Sequence, residues 1–142
     1  MNYRELYAVL FRQLEATYGP LDRETITSVV GFSAGGPVSL SKKTTENLFV
    51  TCELAAYPEQ KLSSEALNYE LLSVGTFSED WCRSVFTALG SLSMNAVLGD
   101  KHTVDISGVV GSDDAVKRVQ LKLFSRSTYE GKNYGVYQIT PA

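Results

Sequence analysis

The single histidine of the chain, His102, lies among acidic side chains in the segment "LGDKHTVD". Asp100 precedes it closely and Asp105 follows it. A histidine oriented by a carboxylate can act as the general base of a hydrolase. The simpler interpretation is a polar turn that leads into a strand, with His102 at its edge. We predict no catalytic residue, and a small hydrolase or ligand-binding enzyme using His102 with Asp100 or Asp105 is the alternative.

Other patterns that carry chemistry are missing from the sequence. A zinc site needs three or four ligands, and the segment around His102 supplies one imidazole, so we predict no metal. There is no GxSxG elbow, no GxxxxGK[ST] loop and no dinucleotide fingerprint, so we predict no cofactor. The two cysteines, Cys52 and Cys82, stand in apolar stretches and are predicted to be buried thiols. A catalytic pair of cysteine and histidine is the alternative.

The composition is that of one globular domain, predicted to span residues 1–142. Hydrophobic residues make up 44% of the 142 residues, charged residues make up 20%, and the net charge is −3. No basic run is present to neutralise phosphates, which disfavours nucleic-acid binding. No apolar stretch approaches the roughly 20 residues that span a bilayer, and the N-terminal stretch lacks the pattern of a signal peptide. We expect a cytoplasmic protein that does not bind a membrane.

Two amphipathic helices are predicted. The first covers about residues 3–18, with Asn2 as its N-cap and Gly19-Pro20 at its end. The second begins after Ser78 and carries the only tryptophan, Trp81, which we predict to be a core anchor, with a ligand platform as the alternative. The apolar arc predicted for this helix comprises Trp81, Val85, Ala88, Leu89 and Leu92, widened by Cys82 and Phe86.

Strands are predicted between and after the helices. They alternate apolar and polar residues or are rich in β-branched residues. They do not interleave regularly with helices, which argues against a doubly wound parallel sheet. We therefore predict an α+β fold, in which helices pack on one face of a mixed, mainly antiparallel sheet. The predicted strands cover residues 25–33, 38–41, 47–57, 67–75, 102–110, 116–125 and 134–140.

Three stretches of the sequence resemble the suppressor-of-fused domain family. They read "ENLFVTCELAAYPEQ", "LNYELLSVGTFSEDWCRSVFTALGSLS" and "LGDKHTVDISGVV". The resemblance covers about residues 3–110, and the helix that ends at Gly19-Pro20 fits the opening of the family. The sequence departs from the family at its end, "QITPA", where an acidic continuation is usual. The matching residues are Tyr57, Glu70-Leu71-Leu72, Trp81, Leu89, Gly99 and His102-Thr103.

The resemblance implies a non-enzymatic fold that binds another protein. In animals the family binds a transcription factor, and small bacterial members are similar to immunity proteins that neutralise a toxin. We therefore expect a protein-binding domain whose partner is a protein, with a toxin as the specific version. A structural subunit that dimerises through an exposed edge strand is a further alternative. The candidate binding residues are Tyr57, Asp100, His102 and Asp105.

Overall fold

The computed structural model describes residues 2–22 and 32–142, and its centre is a six-stranded mixed sheet. The strand order is β1-β2-β3-β6-β5-β4. All neighbouring strands are antiparallel except β3 and β6, which run parallel at the centre. The predicted α+β fold with a mainly antiparallel sheet is confirmed. The strands are β1 (Leu40–Lys43), β2 (Leu48–Thr51), β3 (Asn68–Val74), β4 (Thr103–Asp105), β5 (Arg118–Tyr129) and β6 (Lys132–Pro141).

Three α-helices pack on this sheet. Helix α1 covers Tyr3–Leu10 and helix α2 covers Arg12–Tyr18, so the single predicted helix is divided at Phe11. The predicted N-cap is confirmed, because Oδ1 of Asn2 accepts a hydrogen bond from the N–H of Glu5 at 3.2 Å. Helix α3 covers Glu79–Ser93. None of the helices within the described ranges is long and apolar enough to cross a membrane.

The helices lie on both faces of the sheet, not on one face as predicted. Successive residues of a strand point to opposite faces. On β3, Leu71 belongs to an apolar cluster with Val85 and Phe86 of α3. Its neighbour Leu72 belongs to a second cluster with Leu6 of α1. A strand with apolar side chains on both sides needs a cover on each face, which explains why a prediction of one covered face was wrong.

The strand predicted over residues 47–57 ends earlier, at Thr51. The chain then forms a short 3-10 helix over Leu54–Ala56, which we call the Leu54 turn. Its main-chain N–H groups bond to a carboxylate of β3 instead of a neighbouring strand. An alternating apolar pattern cannot reveal such a competitor, because the carboxylate comes from a distant part of the chain.

Two other predicted strands differ from the structure by more than shifted ends. The strand predicted over residues 102–110 is reduced to β4, and a turn follows it. Most of the strand predicted over residues 25–33 lies outside the described residues, and its last two residues belong to a 3-10 helix over Phe32–Ala34.

Trp81 is a partly buried member of the core. Its indole stacks on the ring of Phe77, with ring centroids 3.5 Å apart and planes 6° apart, and it meets Phe86 edge to face at 6.5 Å. The most buried positions of α3 include Cys82 and Phe86, while Trp81 lies at the side of this buried stripe. The tryptophan anchors the start of the helix. The buried face of α3 is therefore rotated relative to the apolar face predicted from the sequence.

Candidate functional site

The structure places Asp100 in a supporting role at the start of the segment around His102. Oδ1 of Asp100 accepts a hydrogen bond from the main-chain N–H of Leu123 on β5 at 2.8 Å. The N–H of Asp100 donates to Oε1 of Glu65 at 2.8 Å. Asp100 thus connects the turn before β4 to β5 and to the loop before β3, which agrees with the interpretation of this segment as a polar turn.

His102 and Asp105 are both exposed. The main chain of His102 joins the turn to β5, since its carbonyl oxygen accepts from the N–H of Leu121 at 2.9 Å. Oδ1 of Asp105 accepts from the N–H of Ser107 at 2.8 Å. Hydrogen bonds from Ser107 lower the pKa of Asp105. The carboxylates of Asp100 and Asp105 therefore each accept a main-chain N–H, from β5 and from the adjacent turn respectively.

Glu65 is the acidic side chain that this segment shares with the sheet. Its Oε1 accepts a hydrogen bond from the hydroxyl of Tyr137 at 2.6 Å and another from the main-chain N–H of Asp100. Burial acts to raise the pKa of Glu65, but these hydrogen bonds outweigh it, and the nearby charge of His102 lowers the pKa further. Asp100 and His102 therefore lie near one acid that the sequence-based reasoning did not single out.

Tyr57 lines a separate pocket between α1 and the Leu54 turn. The pocket has a volume of about 300 Å³ and walls that are mainly apolar. The pocket lies where the first helix meets the segment that follows β2. We call this pocket the tyrosine pocket. The residues that line it are Tyr3, Tyr7, Cys52, Glu53, Ala56 and Tyr57.

A fully buried carboxylate, that of Glu70 on β3, lies behind the tyrosine pocket. Its Oε2 accepts hydrogen bonds from the hydroxyl of Tyr7 at 2.7 Å and from the N–H of Ala55 at 2.6 Å. Its Oε1 accepts from the N–H of Leu54 at 3.2 Å. Each donor offsets part of the cost of removing the carboxylate from water. Glu70 therefore holds α1 and the Leu54 turn against the central strand.

Burial dominates the titration of this buried pair. It raises the pKa of Glu70 to about 7, although hydrogen bonds from Thr51, Tyr7, Ala55 and Leu54 act in the opposite direction. Burial and the neighbouring Glu70 raise the pKa of Tyr7 well above its usual range. The phenol therefore keeps its proton and remains a donor, while the protonation of Glu70 changes near neutral pH.

Glu53 is the acid that lines the tyrosine pocket itself. Its Oε2 accepts from the N–H of Ser39 at 2.8 Å, and its Oε1 accepts a short hydrogen bond from the hydroxyl of Tyr57. Burial and the bond to Glu53 raise the pKa of Tyr57. The ring of Tyr57 also packs against that of Phe32, with centroids 5.7 Å apart. Two tyrosine hydroxyls of the pocket thus point at two carboxylates.

Of the four candidate binding residues, the structure brings Asp100 and His102 to one turn and places Asp105 on the neighbouring strand. Tyr57 lies at the tyrosine pocket. The sequence-based reasoning missed Tyr7, Glu53 and Glu70. One signal for Glu70 was available, because "NYELL" puts an acid in a strand that is otherwise apolar.

Within the part of the chain that the structure describes, no three histidine, cysteine, aspartate or glutamate side chains are grouped closely enough to hold an ion. We found no protein family that matches this chain and no curated protein that matches it.

Proposed function

We propose that the protein is a non-enzymatic protein-binding domain, resembling the suppressor-of-fused family, and that its partner docks at the tyrosine pocket. The observation that carries this proposal is a mainly apolar pocket whose edge includes an exposed aromatic side chain. Tyr3 is 57% exposed, although its neighbour Tyr7 is buried. Tyrosine is enriched in the parts of interfaces that contribute most to affinity, because it offers a large rigid surface together with a hydroxyl.

The partner that suits this surface is a basic protein. The chain has a net charge of −3, and Glu53 lines the pocket. Complementary charge speeds the encounter of two proteins and disfavours wrong partners. In the specific version of the proposal the partner is a toxin, and the domain neutralises it by covering its active surface.

The enzyme alternative depends on His102 with Asp100 or Asp105. Both carboxylates already accept a main-chain N–H, from Leu123 and Ser107 respectively. A carboxylate that orients a catalytic histidine needs an oxygen directed at the imidazole. These bonds give both carboxylates a structural role, and the His102→Ala variant below tests the hydrolase directly.

A binding measurement with a purified partner separates the two functions. The partner is identified by affinity capture from the native host or as the product of a neighbouring gene, and its affinity is then measured by calorimetry. Tyr57→Ala is expected to weaken binding about tenfold or more, because a central interface aromatic contributes that much. The matched variant Tyr129→Ala changes a partly exposed tyrosine outside the pocket and is expected to change the affinity less than about twofold.

His102→Ala supplies the opposite test. The binding proposal expects its partner affinity to remain within about twofold of the wild type, as for a residue outside the interface. Thermal unfolding of each variant verifies that the fold is intact. Loss of binding on changing His102 but not Tyr57, or a hydrolytic activity that disappears in His102→Ala, would contradict the proposal. The toxin version also requires that Tyr57→Ala fail to protect cells that express the partner.

A further inference from the structure

The tyrosine pocket combines aromatic walls with acids that have no cationic partner among its described lining residues. Tyr7 donates its hydroxyl hydrogen to Glu70, and Tyr57 donates to Glu53. Neither lysine nor arginine occurs among the described residues that line it. Lys42 and Arg83 each form an ion pair with Glu79, on α3. The hydrogen bonds that described residues donate to Glu53 and Glu70 come from neutral hydroxyl and main-chain N–H groups.

These contacts make the pocket attractive to a cation. The face of a tyrosine ring carries partial negative charge and attracts a cation within about 6 Å of its centre. A hydroxyl that donates to a carboxylate is polarised, which increases the electron density of its ring. Mainly apolar walls also lower the local dielectric, so that Glu53 acts more strongly on a charge in the pocket than it would in water.

We propose that the tyrosine pocket receives an arginine side chain of the protein partner. The proposal deepens the proposed function and rests on it, because it specifies the chemistry of the same contact. A guanidinium is planar, stacks on aromatic rings and is more weakly hydrated than an ammonium, so it loses less on entering a mainly apolar pocket. Its three-carbon stem suits the apolar walls, including Ala56.

The size of the pocket agrees with a single side chain as occupant. Its volume of about 300 Å³ lies at the lower end of the range of roughly 300–1,000 Å³ for small-molecule sites. The partner's backbone would remain outside, next to the exposed ring of Tyr3. Tyr3 is then expected to close over the stem of the arginine.

Short peptides test the proposal on the wild-type protein without knowledge of the partner. The probes are acetylated and amidated pentapeptides with four glycines around a central arginine, citrulline, norleucine or lysine. Citrulline has the shape of arginine without its charge, and norleucine has an apolar stem only. The readout is the rate at which iodoacetamide alkylates Cys52, which lines the pocket, measured by mass spectrometry of the digested protein. Cys82 is completely buried and provides an internal reference for unfolding.

The arginine peptide at about 20 mM is expected to slow alkylation of Cys52 about threefold or more, as for a dissociation constant in the millimolar range. The citrulline and norleucine peptides are expected to have no effect, and the lysine peptide a smaller one. Glu53→Gln should abolish the protection by arginine. The matched variant Glu46→Gln removes the same charge from an exposed residue outside the pocket. In this variant the arginine peptide should still protect Cys52.

The failures of the two proposals can be told apart. If the arginine and citrulline peptides protect Cys52 equally, or neither protects it, the arginine proposal is wrong, whatever Tyr57→Ala does to partner binding. If norleucine protects best, the pocket receives an apolar side chain and the arginine proposal is wrong. If arginine protects Cys52 but the partner's affinity is unchanged in Tyr57→Ala, the pocket binds arginine and the proposed docking of the partner there is wrong.

Discussion

The hydroxyl of Tyr7 lies 2.7 Å from Oε2 of Glu70 and joins the first helix to the central strand across 63 residues of sequence. The same carboxylate holds the Leu54 turn through the N–H groups of Leu54 and Ala55. Tyr7 and the segment 52–57 are the two sides of the tyrosine pocket. A single buried acid therefore bonds to both walls, which connects the stability of the fold to the geometry of the proposed binding site.

We expect Tyr7→Phe to lower the free energy of unfolding by about 2 kcal/mol at pH 8, the usual cost of a lost hydrogen bond to a charged group. The ring still fills its place in the core, so the loss comes from the hydroxyl. The measurement is urea denaturation followed by circular dichroism. Tyr129→Phe removes a hydroxyl that donates to Glu5 at an exposed site and is expected to cost less than about 0.5 kcal/mol. Equal losses in the two variants would contradict the role assigned to Glu70.

The stability of the protein is expected to decrease as the pH rises from 5 to 8. Burial raises the pKa of Glu70 from an ordinary value of 4.5 to about 7 in the folded state. The folded protein therefore holds this proton more tightly than the unfolded chain does. The stabilisation is complete below pH 4.5 and is lost as the pH rises through 7. It corresponds to about 2–3 kcal/mol between pH 5 and pH 8.

Urea denaturation at several pH values in this window, on the wild type and on Glu70→Gln, measures the effect. Glu70→Gln cannot titrate and is expected to reduce the change to less than about 1 kcal/mol. Glu65, Glu79 and Asp105 have lowered pKa values, so their contributions are lost only as the pH falls below the window. If Glu70→Gln does not fold, Tyr7→Phe serves instead, because loss of a donor raises the pKa of Glu70 further and moves the decrease to higher pH. An unchanged profile in Glu70→Gln, or in Tyr7→Phe if Glu70→Gln does not fold, would refute the assignment.

The two cysteines are expected to differ strongly in reactivity. Neither forms a disulfide, and they belong to opposite faces of the sheet. Cys52 is half-buried at the tyrosine pocket, while burial raises the pKa of Cys82 to about 12. Because the thiolate is the reactive form, one thiol should react with a disulfide reagent in the native protein and two in urea. Cys52→Ser should leave no thiol that reacts in the native protein, and fast labelling of Cys82 would contradict the structure.

Local patterns predicted the parts of the fold that depend on neighbouring residues. The alternation in β3 was correctly assigned, with Tyr69 and Leu71 on one face and Leu72 on the other. The cap at Asn2 and the end of the helix at Gly19 were also predicted correctly, because each depends on a few adjacent residues.

Long-range contacts explain what could not be predicted. The parallel pairing of β3 with β6 joins Leu71 to Tyr137 and leaves no signal in either strand alone. The tyrosine pocket is similar in this respect, since it requires Tyr7 and Glu70 to meet through folding. The family resemblance alone points to Tyr57, and its contact with Glu53 gives it a physical context that its sequence position does not.

The start of α3 offers a test of how local signals support the core. Oγ of Ser78 accepts a hydrogen bond from the N–H of Trp81 at 3.1 Å, and this cap sets the turn in which Phe77 and Trp81 stack. We expect Ser78→Ala to cost about 1 kcal/mol of stability, the usual value for loss of a helix cap. Ser91→Ala changes an exposed serine inside the same helix and should be neutral or slightly stabilising, since alanine favours helix. The stabilities of the two variants and the wild type are compared by thermal unfolding monitored through tryptophan fluorescence. A cap that contributed nothing would show equal values for the two variants, and the stacked pair would then hold the helix start without help from Ser78.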